Sequence, residues 1–163
     1  MNANVAVNTG TAGARGRKGY RRALLGLATA ATIFSLLHHA DHVVRGSHSG
    51  WPFEAEVTPF TFSLVVYALI LPGIYWTARG RSIAGYHLFV AVGGLLMLGF
   101  VHFVPVGGHE APIADIYAAY ASPAAGALAL AILAGLLTSV TLLALVALRA
   151  RRAAAQEGAG DAR

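Results

Sequence analysis

The sequence predicts an all-α fold, an integral membrane four-helix bundle with up-down topology and both termini cytoplasmic. Three observations carry that prediction. First, 56% of the 163 residues are hydrophobic and only 12% are charged. A soluble domain carries about 25% charged residues, so this chain has too little polar surface to solvate a globule. Second, four apolar segments each reach the roughly 20 residues a helix needs to cross hydrocarbon. Third, the scarce cations are sorted along the chain, as set out below. The same composition excludes disorder, which needs low hydrophobicity and high net charge. It also excludes a coiled coil, whose seam is flanked by charged positions. The chain has no cysteine, which excludes a disulfide framework, a thiolate metal site and a catalytic thiol.

The elements follow in order. Residues 1–20, rich in Gly, Ala, Asn and Thr, read as a disordered basic tail, and residues 21–150 as the transmembrane domain. The first helix spans about 23–44; no small-x-small cleavage site closes its apolar run, so it reads as an uncleaved signal anchor. The second spans about 58–78, with Thr58 as N-cap and Pro59 at the first helical position, where the missing N–H costs nothing. Pro72-Gly73 predicts a kink near its far end, and Tyr75 and Trp76 form an aromatic belt there. The third, about 83–104, is closed by Pro105, and Ser122-Pro123 opens the fourth, about 124–148. Residues 151–163 read as a second disordered tail. Gly93, Gly94, Gly99, Gly126 and Gly135 are small enough to let helix backbones approach closely. Between the third and fourth helices, Ile113, Ile116, Tyr117 and Tyr120 recur at helical spacing. They suggest a short amphipathic helix that anchors at the interface or covers the bundle mouth.

Charge gives the orientation. Arg15, Arg17, Lys18, Arg21 and Arg22 precede the first helix, Arg79 and Arg81 separate the second and third, and Arg149, Arg151, Arg152 and Arg163 follow the fourth. Of the cations only Arg45 falls on the other side, with Asp41, Glu54, Glu56, Glu110 and Asp115. The positive-inside rule then places both termini in the cytoplasm of a cell (plasma or inner) membrane. The basic residues flank membrane helices and meet anionic headgroups, so the high isoelectric point does not signal nucleic acid. The bilayer is the expected partner; a homo-oligomer or a membrane partner stays open.

The chemistry concentrates in His38-His39-Ala40-Asp41-His42-Val43-Val44-Arg45. At 100° per residue His38, Asp41, His42 and Arg45 share one helix face, with His39 at its edge. Ionisable groups at that depth usually face a bundle interior or a cavity. An i, i+4 histidine pair aims two imidazoles at one point, as a helix supplying two metal ligands does. The third helix brings His102 to the same end, and the following loop adds His109, Glu110 and Asp115; His48, Glu54 and Glu56 come from the other loop. His87 alone among the histidines belongs to the opposite end.

Three readings of the cluster compete. In the first, His38, His42 and His102 bind zinc or another divalent metal, with Asp41, His109 or Glu110 completing the shell. An open position would add hydrolytic chemistry on a lipid-soluble substrate, with Glu110 as general base. In the second, His38 or His42 pairs with His102 as axial ligands of a single b-type haem. In the third, the cluster is a non-enzymatic polar knot that staples helices or senses pH through histidine charge. Tyr67 lies mid-membrane in the second helix, where its hydroxyl must find a partner.

Overall fold

In a computed structural model of the chain, the described residues are 6–46, 57–104, 113, 116–117 and 119–161. Five helices account for nearly all of them. These are α1 (Ala6–Arg45), α2 (Pro59–Ser63), α3 (Val65–Ala78), α4 (Ala84–Phe103) and α5 (Pro123–Asp161). Counting α2 and α3 together as one span, four helices are long and apolar enough to cross a membrane.

The second span shows how local sequence sets the elements. The Thr58 hydroxyl accepts from the Thr61 amide at 3.2 Å, and the Thr58 amide donates to Thr61 Oγ1 at 2.8 Å, a reciprocal cap that starts α2 at Pro59. Leu64 is the joint between α2 and α3. The expected kink site, Pro72, lies inside α3 without ending it. Proline removes the donor that the Ala68 carbonyl would receive. The Tyr86 hydroxyl donates into the same stretch, to the Leu69 carbonyl at 2.5 Å. Pro123 opens α5 as expected, and α1 ends at Arg45 with Gly46 at φ 51°, the left-handed conformation that closes a helix.

α1 and α5 both run further than their apolar segments. Where a disordered tail is expected, α1 continues back to Ala6 and α5 on to Asp161. Arg17 donates to Glu157 at 2.6 Å between the two extensions. An exposed ion pair contributes only about 0.2–1 kcal/mol. The extension of α5 therefore rests mainly on Ala153, Ala154 and Ala155, the strongest helix formers.

The helices form a ring. α1 packs on α3 and α5, and α4 packs on the same two, so α1 and α4 face each other across the centre. Neighbours run antiparallel. Late α1 (Ser35, His39) meets early α2–α3 (Ser63, Tyr67), late α3 (Thr77) meets early α4 (His87), and early α1 (Arg17) meets late α5 (Glu157). The core is made of small and branched side chains, with Ala28, Ala31, Ala91, Leu143 and Ala147 almost wholly buried. Many large apolar side chains point outward: Leu36, Phe89, Leu96, Phe100 and Leu128 stand exposed. That inversion suits a chain surrounded by hydrocarbon, where close packing rather than water expulsion joins helices.

Two of the expected small-residue contacts are real. A Cβ on Gly135 would sit 2.5 Å from the Phe34 ring, and one on Gly126 would sit 2.9 Å from the Tyr117 ring. Gly93 and Gly99 meet nothing within 4 Å. Ile113, Ile116 and Tyr120 pack against Ala129 and Leu133 of α5 and their neighbours, with Ile116 fully buried.

Candidate metal centre

His38 and His42 project one turn apart from α1, and His102 comes from the last turn of α4. Because α1 and α4 face each other, the three rings meet on the bundle axis. His38 Nε2 lies 2.9 Å from His102 Nε2 and 3.2 Å from His42 Nε2. One ligand atom from each residue falls within 4.8 Å of the others. A tetrahedral zinc with bonds of about 2.0–2.1 Å holds its nitrogens about 3.3–3.4 Å apart, close to both observed separations. The rings are tilted to one another, His38 to His42 at 80° and His38 to His102 at 49°, so their lone pairs converge and do not stack. All three residues are closed to water, with exposures of 3%, 5% and 3%.

Protons sharpen the geometry. His102 Nδ1 is 3.1 Å from the Leu98 carbonyl, which can only accept, so Nδ1 carries the hydrogen. In the neutral ring Nε2 is then a bare lone pair aimed at the centre, the arrangement a metal-binding imidazole adopts. Neutral rings cannot hydrogen-bond both short contacts well. A proton on His38 Nε2 points at one neighbour, and a second proton on His42 Nε2 would face it directly. A cation at the centre satisfies all three lone pairs at once.

Asp41 and Arg45 share the helix face but make a different structure. Arg45 Nε donates to Asp41 Oδ2 at 2.9 Å, and the two side chains are 1% and 5% exposed. Tyr120 donates a short hydrogen bond to Asp41 Oδ1, which ties the segment before α5 to the end of α1. Arg45 Nη1 and Nη2 have no hydrogen-bond partner among the described residues. Burial first, and the bond to Asp41 second, push the Tyr120 phenol up to about 12.

His39 belongs to a further network that the sequence reading leaves unassembled. The Ser63 hydroxyl donates to the Phe60 carbonyl at 2.6 Å and accepts from His39 Nε2 at 2.7 Å. His39 Nδ1 lies 2.9 Å from the Ser35 carbonyl and 2.7 Å from the Tyr67 hydroxyl, and Ser35 donates to Tyr67 at 3.2 Å. The signal was present as two i, i+4 polar pairs, Ser35/His39 on the first span and Ser63/Tyr67 on the second. Tyr67 thus has the partner its depth demands. At the other end, His87 Nε2 lies 2.6 Å from Thr77 Oγ1.

A cavity of about 80 Å³ lies against the triad, walled by its three rings, by Ser35, His39 and Ser63, and by apolar side chains of all four spans. His48, Glu54, Glu56, His109, Glu110 and Asp115 lie outside the described residues. No family model, curated protein or solved structure matches the chain, so the site is read from its own geometry.

Proposed function

We propose that this chain is a membrane-embedded metal protein in which His38, His42 and His102 bind one divalent transition-metal ion, zinc foremost, and leave a fourth position open. The convergence of three buried imidazoles, one ring nitrogen from each within 4.8 Å of the others, carries the reading. An all-imidazole set suits zinc, copper, iron or nickel and not magnesium or calcium, which take oxygen. Three neutral ligands leave the ion its full charge, so it acts as a Lewis acid on whatever reaches the open side. A haem fits less well. Two axial imidazoles must stand on opposite faces of a flat macrocycle, whereas His38 and His102 touch at 2.9 Å with His42 beside them. In this reading the four spans cross a cell membrane with both tails on the cytoplasmic face, and the site lies at the outer end.

Elemental analysis of the purified full chain tests the proposal. About one zinc per chain is expected, lost in His102→Ala and after chelation. Zinc at about 100 times its Kd should stabilise the wild type by about 2.7 kcal/mol and leave His102→Ala unmoved. Asp41→Asn should keep the zinc, since that carboxylate is engaged by Arg45 and Tyr120. It should nevertheless cost about 3–5 kcal/mol by stranding a buried guanidinium. A metal-free wild type that gains no stability from added zinc, copper, iron or nickel would overturn the metal reading and favour the polar knot.

A further inference from the structure

We infer that the cavity beside the three histidines takes a slender aliphatic chain whose oxygen-bearing end group meets the metal, an inference that rests on the metal reading above. The cavity follows α1 from Ala31 to His42, which is about 16 Å of helix axis. Over that length the cavity is a tube walled mostly by apolar side chains of all four spans. Its deep half is walled by Ile70, Val90, Ala91, Val140 and Leu143. Thr32 also lines the tube, but its hydroxyl is spent on the Ala28 carbonyl of its own helix at 2.8 Å.

The polar atoms gather at the other end. The triad forms one wall there, and Ser35, His39 and Ser63 contribute a second. An ion or a file of water has no partner in the deep half, where leaving polar groups unsatisfied is costly. An unbranched alkyl chain fits the tube along its length and can lay a hydroxyl, aldehyde or carboxyl oxygen between the two polar walls, at the open coordination position.

The tube is kept open by a residue that packing does not require to be small. A Cβ on Gly94 would meet Val140 Cγ1 at 3.8 Å, an ordinary contact. Glycine in a helix interior costs about 1 kcal/mol against alanine, and a larger side chain here would also gain dispersion contacts by filling the void. The α4–α5 contact therefore gives no reason for glycine at 94; the space it leaves does.

The test is photolabelling of the zinc-loaded full chain in lipid nanodiscs with dodecanol bearing a diazirine at its far end. Label is expected on Val90, Ala91 or Leu143. Free dodecanol should compete for it, and dodecane about tenfold more weakly for want of an end group. Gly94→Leu should keep its zinc and lose about tenfold of the label. Label confined to the exposed Leu96, Phe100 and Leu128, equal in both proteins, overturns the inference while zinc binding stands. Equal competition by dodecane overturns the anchoring of the end group. A zinc-free wild type overturns the metal reading and the anchored end group with it. Should Gly94→Leu lose zinc through misfolding, Ala91→Val, a smaller filling of the same tube, is decided by the same label.

Discussion

At the scale of single residues, what separates the histidine triad from its neighbours is which atoms are already spoken for. His102 has one nitrogen tied to the Leu98 carbonyl and the other aimed at His38. Asp41, on the same helix face as His38 and His42, has both carboxylate oxygens taken, one by Arg45 and one by Tyr120. Tyr120 makes that assignment measurable. Its phenol is held neutral by burial and by the carboxylate beside it, and it titrates at about 12 where a free phenol titrates at about 10. A raised folded-state value means the neutral form is the stabilised one. The stabilisation is complete below about pH 10 and is lost as pH climbs through about 12. In a phenolate absorbance titration, Tyr120→Phe should remove amplitude near pH 12 and leave the rest of the curve unchanged. The variant's stability should also lose its extra fall between those two values. Loss of amplitude near pH 10 instead would show that Asp41 does not hold the phenol.

At the scale of the helix, spacing within one element was legible and rotation between elements was not. His38, Asp41, His42 and Arg45 share a face because the turn of a helix is fixed, and the bond from Arg45 to Asp41 follows directly. His102 could be placed at the right depth, yet only the ring of helices turns it inward to His38. His39 is adjacent in sequence to His38 but is rotated toward α2 and α3, so it joins Ser63 and Tyr67 instead. The glycines make the same point energetically. Five small residues read alike in the sequence, but a Cβ on Gly135 would strike Phe34 at 2.5 Å while one on Gly93 would meet open space. Gly135→Ala should therefore force α1 and α5 apart and destabilise by about 1–3 kcal/mol. Gly93→Ala should stabilise by up to about 1 kcal/mol through helix propensity alone. Unfolding of both variants in the same detergent checks the sign. Two shifts of equal sign would mean that the α1–α5 contact at Gly135 is looser than described.

At the scale of the whole molecule, the bundle has chemically unlike ends. One carries the histidine triad, the Asp41–Arg45 pair and the His39 network. The other carries Arg17, Lys18, Arg21 and Arg81, which surround a cavity of about 560 Å³ in whose wall Glu157 is the only acid among the described residues. Retention of cations on the cytoplasmic side orients membrane helices, so the basic end should face the cytoplasm and the histidine end the outside. A buried triad at the outer end would then load its metal from the external medium, and a chelator unable to cross membranes should strip it from intact cells. The absence of cysteine makes the orientation directly testable, because any single introduced thiol is unique. Val57 is 81% exposed beside the start of α2, and Gly158 near the end of α5 meets nothing within 4 Å, so either position accepts a substitution. Val57→Cys should react with an impermeant maleimide on intact cells, and Gly158→Cys only after permeabilisation. The reverse pattern would put the triad in the cytoplasm and make the intracellular pool its metal source. Labelling of both thiols on intact cells would mean that the basic end does not hold one orientation, a result the sorting of eleven cations against one argues against.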